Sequence, residues 1–206
     1  MKSYSQDGQD IYILNNFFPN KTDGTFVDIG ANDGLTISNS LLFEELGWTG
    51  VCVEPLPTAF DKLTQNRKCE CVNGVISDKN ASHVDFCAIE GYSEMLSGIV
   101  DKYDERHKIR ILNESSLHDC KRQKIKVPNF KFNDLIKFNR INLLDIDTEG
   151  GELEILKSIN YDVYAIDLIL VENNYGTNDM QEFLQTKNFK SITRLGADEL
   201  FKRITL

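Results

Sequence analysis

Short apolar runs alternate with amphipathic segments along almost all of this 206-residue sequence, and this alternation restricts the fold more than any other feature. Runs such as Leu168–Val171 are apolar at every position, which is typical of strands covered on both faces. Strands that alternate with helices predict an α/β protein with a doubly wound, mostly parallel sheet and right-handed crossovers. A last pair of strands, near Lys190–Leu195 and Glu199–Thr205, is expected to be antiparallel.

The other predicted elements follow from the same periodicity. Strands are expected at Thr25–Ile29, Gly50–Val53, Cys71–Ile76, His83–Ile89, Lys124–Val127, Asn142–Asp147 and Leu168–Glu172. Helices are expected at Gln9–Phe17, Ile37–Leu46, Thr58–Gln65, Phe132–Phe138, Glu152–Ser158 and Met180–Lys187. No repeat, low-complexity tract or linker divides the chain, so we expect a single domain over residues 1–206.

Polar or acidic residues stand where five of the predicted strands end. Ligands of open α/β sheets bind outside the carboxyl ends of the strands, so these residues are the first candidates for a site. They are Asp28, Glu54, Ser77 with Asp78, Asp147 and Glu172. Burial does not require a polar residue at each of these places, which indicates a ligand site along this edge of the sheet.

The turn after the first predicted strand, Asp28–Gly34, has the sequence DIGANDG. Glycine permits a tight turn and a close approach of the backbone to a ligand. Glu54 ends the next strand, 26 residues after Asp28, where a carboxylate can accept hydrogen bonds from both hydroxyls of a ribose. The two features predict a nucleoside-containing cofactor, and a glycine-rich turn without a ligand is the alternative.

The spacing of Gly30 and Gly34 distinguishes two cofactor classes. A dinucleotide site needs G-x-G-x-x-G to hold a pyrophosphate at a helix N-terminus, whereas this turn has G-x-x-x-G with Asn32 and Asp33 inside it. An acidic loop repels a pyrophosphate and suits the ammonium and sulfonium charges of S-adenosylmethionine (SAM). We therefore expect SAM rather than NAD. Ser77 and Asp78 are candidates for the adenine amino group, and plain turn chemistry explains them equally well.

Composition excludes some partners. The net charge of −9 and the pI near 4.9 argue against sequence-independent binding of nucleic acid or of an anionic membrane, because phosphate neutralisation needs a basic face. The five cysteines have no framework spacing, which favours a reducing compartment. No apolar run approaches the 18 residues of a membrane span, and no leader peptide is evident. We expect a cytoplasmic protein without membrane insertion.

Methyl transfer from SAM to an alcohol needs an in-line nucleophile and either a general base or a metal ion that acidifies the hydroxyl. Asp147 and Glu149 follow one central strand and Glu172 ends the next, so each is a candidate base. The set Asp147, Glu172 and Asn173 offers oxygen ligands for Mg²⁺ or Mn²⁺ and is similar to the metal ligands of catechol-type O-methyltransferases. The same carboxylates are also suited to capping a helix or binding the amino group of SAM.

One polar segment, Glu90–Gln123, does not fit the alternation of strands and helices. Long loops inside compact domains are usually functional or disordered, so we predict a partly helical lid or acceptor-binding insertion. The candidate acceptor-binding residues are Tyr92, His107 and His118 from this insertion, and Tyr175 after the strand that ends at Glu172. The basic run Lys121–Lys126 is either a solvated face or a contact for an anionic acceptor such as a nucleotide sugar.

Taken together, the motifs resemble the FkbM family of SAM-dependent methyltransferases over most of the chain. The resemblance rests on four blocks in order: Ser5–Asp10, Val27–Gly34, Glu54-Pro55 followed by Phe60, Leu63 and Asn66, and Asp145–Leu156 with its D-x-E-G-x-E-x-x-x-L pattern. It implies a Rossmann-like methyltransferase fold and O-methylation of sugar or polyketide hydroxyls. It also implies that Pro55 and the first block, with Gln6, Gly8 and Gln9, contribute to the cofactor pocket. A helix N-cap at Ser5 or Asp7 is the alternative interpretation of that block.

We therefore expect a SAM-dependent O-methyltransferase that acts on a hydroxyl of a sugar or glycan. A polyketide or another small-molecule alcohol is the alternative acceptor. Two alternatives of a different class are a Rossmann-type NAD-binding oxidoreductase and a non-catalytic SAM-binding module.

Overall fold

The structure, a computed structural model, describes residues 2–118 and 120–204. The strands are β1 (Thr25–Ile29), β2 (Thr49–Glu54), β3 (Glu70–Asn73), β4 (Val75–Ile76), β5 (His83–Glu90), β6 (Gly98–Ile99), β7 (Lys121–Phe130), β8 (Arg140–Ile146), β9 (Ala165–Glu172), β10 (Phe189–Leu195) and β11 (Asp198–Arg203). The α-helices are α1 (Gln9–Phe17), α2 (Leu41–Glu45), α3 (Pro57–Asn66), α4 (Glu105–His118), α5 (Phe132–Leu135), α6 (Glu152–Ser158) and α7 (Asp179–Thr186). None of these helices is long and apolar enough to cross a membrane.

A seven-stranded sheet in the order β10–β11–β9–β8–β1–β2–β3 forms the centre of the molecule. The strands from β9 to β3 are parallel to their neighbours, and β11 and β10 extend the sheet in antiparallel pairing beyond β9. The prediction of a mostly parallel sheet with an antiparallel C-terminal pair is confirmed. Thr205, the last residue of the predicted final strand, lies outside the described residues.

Two apolar layers cover the two faces of the sheet, as the uninterrupted apolar runs require. Alternate residues of each strand enter different layers: Phe26 packs with α1, α2 and α3, and Val27 packs with α5, α6 and α7. Each fully buried side chain of this size contributes about 1.5–3 kcal/mol to folding. The sheet is therefore held rigidly, and its carboxyl edge provides a fixed platform for the loops that follow the strands.

A second sheet, in the order β4–β7–β5–β6, was not distinguished by the sequence patterns. The predicted strand Cys71–Ile76 is divided at Gly74, where φ is +154° and a Cβ would lie 2.7 Å from the Pro128 carbonyl oxygen. β3 stays in the main sheet, and β4 joins the second. β5 and β7 pair along eight register positions, so the predicted strand Lys124–Val127 extends to Lys121–Phe130. The apolar pattern of a strand does not show which sheet the strand joins.

The predicted insertion Glu90–Gln123 connects β5 to β7 above the carboxyl edge of the main sheet. It contains a 3₁₀ turn at Glu94–Leu96, the short strand β6 and the helix α4. Asp119, inside this segment, lies outside the described residues. Ile111 of α4 packs with Ile89 and Leu96 in a small apolar cluster, which anchors the helix to the second sheet.

Helices α3 and α7 begin one residue before their predicted starts, α5 ends at Leu135 instead of Phe138, and larger differences concern the start of α2 and the cap of α1. Helix α2 begins at Leu41 instead of Ile37, because Ile37 has φ +49° and cannot begin an α-helix in that conformation. Helix α1 has the predicted bounds, and its N-cap residue is Gly8 rather than Ser5 or Asp7 of the alternative interpretation, although the Ser5 hydroxyl accepts a hydrogen bond from the first-turn amide of Asp10 at 3.2 Å. The short polar residues before α1 instead bind Asp10, whose carboxylate accepts hydrogen bonds from the Ser3 and Ser5 hydroxyls.

Candidate active site

A cleft opens at the carboxyl ends of β1, β2 and β8, where the strand order reverses and ligands of open α/β sheets bind. The sequence-predicted cofactor residues that line this cleft are Gln6, Asp28, Gly30, Asn32, Glu54, Pro55, Ser77 and Asp147. Four other predicted residues lie outside the lining: Gly8, Gln9, Gly34 and Asp78.

The glycines of the loop after β1 are required by the protein's own packing. Gly30 has φ +95°, and a Cβ there would lie 1.7 Å from the Asp147 carbonyl oxygen. Gly34 has φ +74°, and its Cβ would lie 2.5 Å from Leu63 Cδ1 in α3. Glycine at these two positions therefore admits the loop after β8 and helix α3, and the predicted approach of a ligand to Gly30, which lines the cleft, stays a prediction.

Glu54, the last residue of β2, lies at the edge of the loop with 7 % of its surface exposed. Its Oε2 accepts a hydrogen bond from the Asn32 amide at 2.9 Å, and its Oε1 accepts one from the Leu56 amide at 2.7 Å. Burial raises the pKa of this carboxyl to about 7, although the two amides oppose the shift. Each oxygen keeps a lone pair that can face the cleft.

Asp28 lies beneath the loop and is bound by other protein groups. It accepts a hydrogen bond from the Ser40 hydroxyl, and Arg67 Nη1 lies 3.9 Å from its Oδ2. Arg67 also forms an ion pair with Glu44, and its side chain is fully buried. Burial raises the pKa of Asp28 in spite of Arg67. These partners make Asp28 a support for the cleft floor, whereas the sequence predicted only a cofactor contact.

Asn39 offers an unused acceptor in the cleft. Its Nδ2 donates to Asp145 Oδ1 at 3.3 Å, while its buried Oδ1 has no hydrogen-bond partner among the described residues. Burial, followed by repulsion from Asp28, raises the pKa of Asp145 well above its ordinary value. A buried acceptor without a donor is costly, so this corner of the cleft suits a ligand that brings N–H groups or positive charge.

The remaining predicted cofactor residues have structural partners. Gln9 donates from Nε2 to Asp198 Oδ2 at 2.7 Å and ties α1 to the C-terminal strands. Asp78 lies 3.5 Å from Lys102 Nζ, on the outer side of the turn after β4. Ser77 lines the cleft, and its hydroxyl donates to Asn129 Oδ1 at 2.6 Å.

Three predicted catalytic carboxylates come together beyond the carboxyl ends of β8 and β9. Ligand oxygens of Asp147, Glu149 and Glu172 all lie within 4.8 Å of one another. The Asp147 and Glu172 carboxyl groups are close neighbours, and repulsion between adjacent carboxylates favours a proton on one of them. Burial, and then repulsion among the three groups, raises the pKa of both well above their ordinary values.

Asn173 does not join this group, which corrects the predicted metal-ligand set. Its Nδ2 donates to the Thr177 carbonyl and to Glu199 Oε1, and its Oδ1 accepts from the Thr177 amide at 3.1 Å. The side chain holds the loop after β9 together and has turned away from Glu172. A sequence reading cannot foresee this, because the direction of a side chain after a strand depends on the loop conformation.

The donor set argues against a metal ion at this place. Glu149 is already surrounded by donors: His107 Nδ1 at 3.2 Å, Asn174 Nδ2 at 3.4 Å and Arg110 Nη1 at 3.7 Å from its Oε2. These contacts occupy Glu149 and weaken it as a ligand for Mg²⁺ or Mn²⁺, although the oxygens of Asp147, Glu149 and Glu172 lie close enough together to hold a cation.

A second cavity lies between α4 and the loop after β9. Lys102, Glu149, Glu154 and Glu172 line both this cavity and the cleft, so the two spaces meet at the carboxylates. His107 and Tyr175, both predicted to contact an acceptor, line the second cavity. Tyr92 and His118 do not: they stack on each other at 4.1 Å, and Tyr92 is 77 % exposed.

Several residues of this region were not singled out from the sequence. Asn39 precedes α2, while Lys102, Arg106 and Arg110 belong to the insertion. Arg110 follows His107 by three positions, so both face the same side of α4, and this spacing was the available signal. Nothing in the sequence indicated that this side of α4 packs on the loop after β8.

The comparisons with known proteins agree with this geometry. The profile of the methyltransferase FkbM domain matches residues 28–197. The FkbM methyltransferase of Methylobacillus flagellatus KT superposes with a TM-score of 0.56 at 9 % identity, over 97 % of this chain and 48 % of that one. A TehB-like SAM-dependent methyltransferase of Corynebacterium glutamicum ATCC 13032 gives a TM-score of 0.48 at 10 % identity, over 95 % of this chain and 88 % of that one.

No curated protein matches the sequence. This chain spans about half the length of the Methylobacillus protein, and at 9 % identity that likeness shows the fold. The fold is the Rossmann-like α/β fold of class I methyltransferases, as predicted. Because the family profile covers most of the sequence, the chain belongs to the FkbM methyltransferase family.

Proposed function

We propose that this protein is a SAM-dependent O-methyltransferase whose acceptor is a hydroxyl group of a sugar. The observation that carries the proposal is the position of Asp147, Glu149 and Glu172, which stand where the cleft and the second cavity meet. The cleft can hold the methyl donor and the second cavity can hold the acceptor. The carboxylates between the two spaces can accept the proton that the acceptor hydroxyl loses.

The cleft has suitable partners for each part of SAM, which when bound supplies a methyl group on a positively charged sulfur. Glu54 faces the cleft from the end of β2 and can accept from ribose hydroxyls. The free Oδ1 of Asn39 and the nearby Asp145 can accept from the amino group. The family profile and the class I methyltransferase fold favour the same cofactor.

Asp147 and Glu172 supply the base. Their raised pKa makes the ionised member of the pair a stronger base than an ordinary carboxylate, so it can accept the proton of an acceptor hydroxyl as the new bond forms. The two side chains are half-buried and line the cleft. No metal ion is needed for this step.

The second cavity favours a neutral, hydroxyl-rich acceptor. Most of its lining residues are polar, among them Tyr175, Asn174 and Thr177, while the surface that they expose consists of polar atoms and a larger share of carbon. Such a mixed surface suits a sugar, whose hydroxyls form hydrogen bonds while its ring carbons pack on apolar atoms. Carboxylates outnumber cations in the lining, which disfavours a phosphate-bearing acceptor.

The basic run Lys121–Lys126 does not supply the missing positive charge. Lys124 and Lys126 both pair with Asp85 at 2.6 Å on the outer face of the second sheet, and neither lines the cleft or the second cavity. A nucleotide sugar is therefore a poorer candidate than a neutral glycoside.

Thermal-shift measurements with SAM, S-adenosylhomocysteine and NAD⁺ test the cofactor. We expect stabilisation by the two sulfur compounds, and stabilisation by NAD⁺ alone would refute the proposal. Transfer of labelled methyl from SAM is then measured on matched acceptors: methyl glycosides, amino sugars, sugar phosphates, nucleotide sugars and a macrolide alcohol. Labelling of the methyl glycosides is expected, and labelling confined to nucleotide sugars or the macrolide would overturn the sugar assignment.

A further inference from the structure

His107 is a buried histidine whose two ring nitrogens are both engaged. The side chain is 2 % exposed, its Nε2 lies 3.2 Å from the Leu96 carbonyl oxygen, and its Nδ1 lies 3.2 Å from Glu149 Oε2. The ring also stacks on Tyr103 at 4.4 Å, and the Tyr103 hydroxyl donates to the same Leu96 oxygen. Because a carbonyl oxygen only accepts, Nε2 carries the hydrogen of that contact.

With Nε2 directed at Leu96 and Nδ1 at Glu149, neither ring nitrogen is left for an acceptor hydroxyl, and Nδ1 donates to Glu149 when the ring carries a proton on both nitrogens. The sequence offered it as an acceptor contact, a role that requires a ring nitrogen that faces open space. The ring instead joins two parts of the protein that are far apart in sequence: the insertion, through Leu96, and the loop after β8, through Glu149.

The loop after β8 needs such a contact. Glu149 has φ +56° and Gly150 has φ +125°, so two consecutive residues lie in the region that favours glycine. For Glu149 this conformation costs about 1–3 kcal/mol and persists only where surrounding contacts impose it. Gly150 meets the insertion as well, because a Cβ there would lie 2.8 Å from the Lys102 carbonyl oxygen.

We propose that His107 is a positioning residue that fastens the insertion to the loop after β8 and so holds Glu149 beside Asp147 and Glu172. This inference rests on the proposed function, since it assigns His107 to the assembly of the transfer site. The Nδ1 contact with Glu149 is the essential part, and the Nε2 contact with Leu96 orients the ring. The insertion thereby completes the site, because its packing on the loop after β8 positions the three carboxylates Asp147, Glu149 and Glu172.

Two substitutions separate the contacts of the ring. In His107→Asn the amide nitrogen can occupy the position of Nδ1 and donate to Glu149, whereas in His107→Gln it reaches toward Leu96 and leaves Glu149 without this donor. Lys108→Gln is the matched control, because Lys108 is exposed on the same helix, pairs with Glu105 and lines neither cavity.

The first readout is hydrogen exchange of the backbone amides of residues 148–151 in the full chain with bound S-adenosylhomocysteine. We expect faster exchange in His107→Gln, and rates like those of the unsubstituted protein in His107→Asn and Lys108→Gln. The second readout is steady-state transfer to the methyl glycosides. For His107→Gln we expect kcat to fall about 10- to 100-fold with the KM for SAM changed less than about twofold, and His107→Asn to restore most of kcat.

Equal exchange rates and equal kcat in all variants would overturn the inference. Equal loss in His107→Asn and His107→Gln would also overturn it, because ring packing rather than the donor to Glu149 would then matter. If the unsubstituted protein binds S-adenosylhomocysteine but methylates none of the acceptors, the proposed function fails, and the exchange comparison still decides the role of His107.

Discussion

The carboxyl of Glu54 makes the affinity for a nucleoside depend on pH near neutrality. A pKa of about 7 leaves this group mostly protonated at pH 6 and mostly ionised at pH 8. Ribose hydroxyls donate hydrogen bonds, so they bind the carboxylate much better than the acid. The ionised fraction rises about tenfold between pH 6 and pH 8, and the affinity for adenosine should rise by the same factor, or about 1.4 kcal/mol.

As the pH rises, the same carboxyl lowers the stability of the ligand-free protein, whereas it raises the affinity for a nucleoside. Its pKa is higher in the folded chain than the ordinary 4.5, so the folded state holds the proton more tightly. Stability is therefore highest below pH 4.5 and decreases as the pH rises toward 7. With these two pKa values the loss between pH 5 and pH 8 is about 2.5 kcal/mol.

The assay is calorimetric titration with adenosine at pH 6, 7 and 8, because adenosine carries the ribose without the amino acid charges of SAM. Glu54→Gln is the control, since glutamine does not titrate and still accepts one backbone hydrogen bond. We expect tenfold tightening in the unsubstituted protein and less than about twofold in the variant. In urea unfolding, the difference in stability between the two proteins should shift by about 2.5 kcal/mol from pH 5 to pH 8. An equal pH dependence of affinity in both proteins would refute the assignment of Glu54.

Three further predictions concern packing, buried charge and the base. Gly30→Ala should destabilise the protein by more than about 3 kcal/mol in urea unfolding, because the added Cβ would overlap a backbone oxygen. Gly8→Ala has open space around its Cβ and should cost about 1 kcal/mol in the same urea series. Arg67→Met leaves the buried Asp28 without its cation and should lower the free energy of unfolding by about 3–5 kcal/mol, measured by thermal unfolding. A loss below about 1 kcal/mol would contradict the buried ion pair. Glu172→Gln should lower kcat at least about 100-fold while S-adenosylhomocysteine still binds. Excess EDTA should leave the activity of the unsubstituted protein unchanged. Inhibition by EDTA that Mg²⁺ reverses would restore the metal hypothesis.

Strand ends were the most predictable part of the site. The positions of Glu54, Asp147 and Glu172 followed from apolar runs that stop at a polar residue, and the parallel sheet then brought these ends to one edge. The loop after β1 was located correctly, but the packing that also requires its glycines was not foreseen. The partner of Gly30 is a backbone oxygen of a residue 117 positions later, and no local pattern encodes that contact.

The sequence by itself determined the class of fold, the order of the motifs and the resemblance to the FkbM family, because apolar periodicity and loop chemistry are local properties. Only the tertiary structure decided which polar groups are free to act. It engaged Asn173 and Gln9 in structural hydrogen bonds, left Asn39 Oδ1 without a donor among the described residues, and packed His107 against Glu149. The physical reason is that hydrogen bonding and burial depend on which segments of the chain meet in the fold, such as the insertion and the loop after β8.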